Sequence, residues 1–155
     1  MGGHAAGEEA SSIAVETIAK TAPQSADAAR LAAAVEAANA AVIEAALNGL
    51  GKPGMGCTAT CAYIENDTLA IAHVGDSRAY LLHEGTLIRV TRDHSYVEEL
   101  VDAGEITADE ARVHPNRSVI TRALGSDPAM YADHFTLHIL SLIHISEPTR
   151  LDVIS

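Results

Sequence analysis

The triplet Gly75-Asp76-Ser77 sets a carboxylate and a hydroxyl directly behind the apolar run 68–75, TLAIAHVG. A carboxylate at the end of a buried strand either closes a turn or holds a hard cation, and residue types alone leave both roles open for Asp76. Asp93-His94-Ser95 has the residue types of an acid, a base and a nucleophile. Adjacent side chains point in different directions, however, so these three cannot relay a proton among themselves, and Ser95 fits better as a helix cap. The eight histidines are scattered, with no helical i, i+4 pair bracketing a carboxylate, which argues against zinc-peptidase chemistry. Cys57 and Cys61 in CTATC would share one face of a strand about 13 Å apart, too far for a disulfide. They read as small apolar residues. Arg78, Arg89, Arg92, Arg112, Arg117 and Arg122 are interleaved with carboxylates and are expected to form mostly solvated ion pairs. A guanidinium or two among them could meet a phosphate.

The elements that must position these groups follow from periodicity. Ala6, Ala10, Ile13, Ala14 and Ile18 recur at three- and four-residue intervals and predict an amphipathic helix over 5–20. After Pro23, with Ser25 as the expected N-cap, a longer helix runs to residue 50, its stripe formed by Leu31, Val35, Ala38, Val42 and Ala45. The glycine-rich stretch 51–56 is a loop. Strands over 57–65 and 68–75 flank an Asn66-Asp67 turn, and SRAYLLHE and TLIRVTR flank Glu84-Gly85, which predicts a four-stranded antiparallel meander. The 68–74 run is apolar at nearly every position and is expected to be covered on both faces, hence a layered α/β arrangement. Ser95 and Glu98 predict a capping box for a helix ending at Gly104, and Thr107 and Glu110 a second for a very short helix. HFTLHI, 134–139, is expected to be a final strand.

Composition removes several function classes. Ten Lys and Arg against twenty-one Asp and Glu give a net charge of −11 over 155 residues, and aromatics are 3%. A chain this acidic, without stacking side chains, has no footprint for nucleic acid. No apolar run reaches the roughly 18 residues that span a bilayer, and no signal-peptide pattern is present, so a cytoplasmic location is expected.

Five strings in order, MGGHAAGEEAS (1–11), GMGCTAT (54–60), VGDSRAYLL (74–82), TRDHSYVEELVDAGEITADEAR (91–112) and HPNRSVITRALG (114–125), resemble the bacterial branch of the protein phosphatase 2C family, the metal-dependent PPM-type serine/threonine phosphatases. The resemblance implies an α+β fold, with the meander and its flanking helices forming part of an αββα sandwich. It implies hydrolysis of phosphoserine and phosphothreonine on phosphorylated proteins by a water activated between two Mg²⁺ or Mn²⁺ ions. Asp76 corresponds to a ligand of a third metal. Residues 94–118 correspond to the flap beside the active site, with His94, Ser95, Arg117 and Ser118 governing substrate access. The family's main two-metal carboxylates and its phosphate-binding arginine match nothing in this chain, and no catalytic residue is identifiable in it. Residues 1–139 are therefore expected to be the central fragment of a phosphatase domain.

LSLIHISEPTR, 140–150, resembles a translated sequencing adaptor, so 140–155 is expected to be a non-native tail. Two further functions stand beside the phosphatase reading. One is a non-catalytic phosphatase-like module that binds phosphorylated partners. The other is a serine esterase using Ser77, which lacks the Asp-x-x-His partner such chemistry needs.

Overall fold

A computed structural model describes residues 4–142. Two helices open the chain, α1 (His4–Thr21) and α2 (Ala28–Leu47). The side chain that caps α2 is Asp27, not Ser25: Asp27 Oδ1 accepts from Arg30 N at 3.0 Å. Alanine at most inward positions lets α1 and α2 lie close together, and Ala10, Val35, Ala38 and Val42 are fully buried. The predicted stripe from Leu31 to Ala45 is the face that packs on the sheet.

The strands are β1 (Ala59–Glu65), β2 (Thr68–Val74), β3 (Tyr80–His83), β4 (Thr86–Arg89) and β5 (Asp133–His138). They do not form one meander. The three-stranded sheet has the order β1-β2-β5, all antiparallel, and β3-β4 is a separate two-stranded hairpin. The division falls at Gly75, whose φ of 109° turns the chain out of the sheet, leaving the second edge of β2 to β5. Six of the seven β2 residues are buried, as expected of a central strand. Ala70, Ala72 and Val74 join the core beneath the helices, while Leu69, Ile71 and His73 alternate onto the opposite face.

Between β4 and β5 the chain makes a long excursion carrying α3 (Tyr96–Asp102) and α4 (Ala108–Val113). Thr107 and Glu110 form the expected capping box. Ser95 caps α3, but Glu98 does not reach back to complete a box, because its carboxylate is held by Arg89 Nη2 at 2.9 Å. A short turn of helix, α5 (Ile139–Leu142), folds onto the β1–β2 turn through Ile139 N to Asp67 O at 2.8 Å. The expected tail thus begins within α5, and its remainder, 143–155, lies outside the described residues.

One polar side chain sits inside the alanine core. Asn39, 2% exposed, accepts from Gly125 N at 2.7 Å and donates to Asp127 O at 2.8 Å, tying the middle of α2 to the loop before β5. Gly125 is obligatory there, since its φ is 89° and a Cβ would stand 2.4 Å from Met55 O. Replacing Asn39 by Ala leaves a buried amide and a buried carbonyl without partners. The Asn39→Ala chain is expected to lose about 2–4 kcal/mol of unfolding free energy in urea titrations.

Candidate active site

The site is built on one row of the sheet. Register places Thr60 opposite His73 and His73 opposite Asp133, so three polar side chains cross β1, β2 and β5 on the face away from the helices. His73 Nε2 meets Arg92 O at 2.9 Å, and since a carbonyl only accepts, Nε2 carries the proton. Nδ1 then accepts from Thr60 Oγ1 at 2.9 Å, and Thr60 in turn accepts from Ser77 Oγ at 2.8 Å. Burial holds the His73 pKa below the ordinary 6.5, and the neighbouring His94 adds to the lowering.

His94 stacks against this row, its ring centroid 5.0 Å from that of His73. It holds Gly75 at two points: Gly75 N donates to Nδ1 at 2.9 Å, and His94 N donates to Gly75 O at 2.8 Å. With Nδ1 accepting, the ring proton is on Nε2, 2.8 Å from Asp133 Oδ2. Arg122 Nη1 reaches Asp133 Oδ1 at 2.7 Å, so two donors converge on one carboxylate. The Arg122 guanidinium lies 4.0 Å over the Tyr131 ring and donates to its hydroxyl at 3.0 Å. The His94 hydrogen bond, with Arg122 supporting it, holds the Asp133 carboxyl well below the usual carboxylate range.

The stem of the excursion starts from the same residue. Thr121 N donates to His94 O at 2.9 Å and Tyr96 N to Val119 O at 3.0 Å, so residues 94–96 and 119–121 run side by side. Asp93 grips Arg78 bidentately at 3.0 and 2.7 Å, and Arg89, 2% exposed, reaches Glu98. Arg78, Arg92, Arg112 and Arg117 are exposed, as expected for most of the six, whereas Arg89 is a buried structural cation and Arg122 a half-buried one. The carboxylate partners of these two lie on neighbouring elements, which local sequence does not show.

Asp76 is exposed immediately after this clamp, and its carboxylate has no partner among the described residues. Gly75 admits no side chain, because a Cβ would lie 2.3 Å from Thr58 Cγ2. Of the other expected residues, Ser95 is buried as the α3 cap beside His94, while Arg117 and Ser118 are exposed in the turn after α4. Among the described residues Arg117 hydrogen-bonds His114 O, at 3.1 and 3.5 Å, and no hydrogen bond joins Arg117 or Ser118 to Asp76 or His94. No group of three or more His, Cys, Asp or Glu side chains that could hold a metal comes together among the described residues. A two-metal centre therefore does not fit this set, and Asp76 is at most one ligand. Cys57 and Cys61 are free, half-buried thiols whose pKa values burial pushes up. An open depression of about 680 Å³, lined by Glu8, Glu9, Ser12, Ile13, Ala45, Leu50 and Lys52, shares no residue with this site.

Residues 1–134 match the protein phosphatase 2C family. The chain belongs to that family. It is 43% identical over 127 residues to the serine/threonine protein phosphatase PstP of Mycobacterium tuberculosis, covering 80% of this chain and 25% of that protein. With the serine/threonine phosphatase stp of Listeria monocytogenes it shares 35% identity over 144 residues, covering 88% of this chain and 57% of the relative. The crystal structure of Mycobacterium tuberculosis PstP superposes with a TM-score of 0.80 at 39% identity, over 89% of this chain and 60% of that one. Stp1 of Staphylococcus aureus superposes with a TM-score of 0.81 at 34% identity, over 90% and 57%. A structure of the PstP catalytic domain in complex with two manganese ions gives 0.75 at 36% identity, over 89% and 58%. The chain thus spans between a quarter and three fifths of the length of these relatives. The expected α+β protein phosphatase 2C fold is present, with the pairing of its strands corrected as above.

Sequence reading missed His73, Thr60, Arg122 and Asp133 as members of the site. The one local signal was His73 itself, an ionisable residue in a strand otherwise apolar on both faces. Both titrations of this network destabilise the fold in acid. His73 binds its proton less readily folded than unfolded, so its contribution is complete above pH 6.5 and declines below it. Asp133 has a depressed folded value, so its contribution is complete above 3.8 and is lost as the pH falls further. Urea midpoints measured from pH 8 to pH 3 are expected to fall in two stages, and Asp133→Asn to flatten the more acidic one.

Proposed function

We propose that the protein to which this chain belongs is a metal-dependent phosphatase that removes phosphate from phosphoserine and phosphothreonine in proteins, with Mg²⁺ or Mn²⁺ as cofactor. Membership of the protein phosphatase 2C family over residues 1–134 is the observation that carries this reading. Asp76 fits the role of a single carboxylate ligand, to a third metal: it is exposed and unpartnered on a turn that four hydrogen-bonding side chains hold in place. Hard oxygen ligands of this kind suit Mg²⁺ and Mn²⁺. The remaining ligands are assigned to the part of the relatives' length that this chain does not span. The excursion 94–118 is assigned the part of the flap, with Arg117 and Ser118 exposed where a phosphorylated protein would pass. Its substrates would be products of serine/threonine kinases, met in the cytoplasm.

A second reading, a non-catalytic phosphatase-like module that binds phosphorylated partners, is favoured by the missing cluster of metal-binding side chains among the described residues. The two part on one comparison. This chain, assayed with Mn²⁺ on a phosphothreonine peptide and on p-nitrophenyl phosphate, is expected to show no turnover above background. The protein spanning the full length of these relatives is expected to hydrolyse both with Mn²⁺ and to stop when the metal is chelated. An inactive full-length protein that still binds the phosphopeptide would establish the module instead. In the active protein, Asp76→Ala is expected to lower kcat at least about tenfold while leaving the unfolding midpoint unchanged.

A further inference from the structure

We propose that His94 is a positioning residue that makes the turn carrying Asp76 and the root of the 94–121 excursion a single mechanical unit. Four bonds meet at this residue; Arg122 Nη1 also lies 3.1 Å from Nε2, but facing a protonated nitrogen it donates to Asp133 Oδ1 instead. Its Nδ1 accepts from Gly75 N, its main-chain N–H donates to Gly75 O, its main-chain carbonyl accepts from Thr121 N, and its Nε2–H donates to Asp133. Two of them hold the glycine before Asp76, one holds the returning strand of the excursion, and one is braced from β5. His94 is 7% exposed, so any of these groups left unpaired is a buried loss rather than an exchange with water.

The arrangement specifies the imidazole. Only the neutral ring with its proton on Nε2 can accept from Gly75 and donate to Asp133 at once. Arg122, held by Tyr131 and bonded to the other Asp133 oxygen, fixes the carboxylate that fixes the ring. Gly75 has no alternative conformation that keeps its place, because its amide and carbonyl both point at His94 and Thr58 closes the space beside its Cα. A shift of the excursion's root therefore pulls on Gly75, and through it on Asp76.

The effect on turnover rests on the phosphatase reading, whereas the coupling itself does not. The imidazole ¹⁵N spectrum of the 155-residue chain is expected to show His94 as the Nε2–H tautomer, and the Nδ1–H tautomer would overturn the proposal. In His94→Asn the amide oxygen stands near the former Nδ1 and can still accept from Gly75, while His94→Ala offers no acceptor. The Ala variant is expected to shift the Gly75 and Thr121 amide resonances together and speed exchange of both at least tenfold. The Asn variant is expected to return Gly75 most of the way. Movement of Thr121 alone, or an Asn variant no better than the Ala variant, would overturn the proposal. In the full-length protein His94→Ala is expected to lower kcat at least tenfold with KM changed less than threefold, and His94→Asn to recover most of the loss. Absence of turnover in the unsubstituted full-length protein would refute the phosphatase reading and leave the resonance results to decide the coupling.

Discussion

Gly75 and His94 exchange two hydrogen bonds, main chain to main chain and main chain to imidazole, and much else in the structure takes its place from that pair. Each bond contributes only about 1 kcal/mol net, yet a buried donor or acceptor left without its partner costs up to about 3 kcal/mol. The pair therefore specifies geometry more than it adds stability. It ends β2 at a defined point, sends the chain to the β3–β4 hairpin, and sets the root of the excursion against the sheet. It also brings His94 onto His73, so that two buried imidazoles lie side by side with the half-exposed carboxylate of Asp133 against His94.

The molecule divides its labour between two chemistries. Beneath the helices the core is alanine, valine and leucine, where close approach replaces bulk and a single asparagine sets the depth of the loop before β5. On the opposite face, the row Thr60–His73–Asp133 and the arginines around Asp93 and Glu98 form polar networks in which nearly every group is paired. Arg89 is the exception: its Nε and Nη1 have no hydrogen-bond partner, although Nη1 lies 3.6 Å from Asp93. The alanine core gives the fold its compactness, and the networks give the Asp76 turn its fixed position.

Much of this was legible in the amino-acid order. The helices were readable because apolar residues recur at helical spacing from Ala6 to Ile18 and from Leu31 to Ala45, and the caps at Ser95 and Thr107 because a hydroxyl precedes each start. The strands were readable from alternation and from the Asn66-Asp67 and Glu84-Gly85 turns. What escaped was set by distance along the chain. Thr68 pairs with His138, seventy residues away, and nothing local distinguishes that partner from the nearer Tyr80. Arg89 and Asp133 look like surface charges until their partners arrive from other elements, and Glu98 fits a capping box until Arg89 takes its carboxylate. The family resemblance singled out Asp76 as a candidate metal ligand, but the clamp that holds its turn became visible only in three dimensions.

Native-state hydrogen exchange of the Gly75 and Thr121 amides tests the central claim most directly, because these amides report the two sides of His94 without any substitution. The account predicts equal opening free energies for the two, both close to that of the β2 core, since neither side can open without the other. A Thr121 amide that exchanges through fast local opening while Gly75 remains as protected as the core would contradict it.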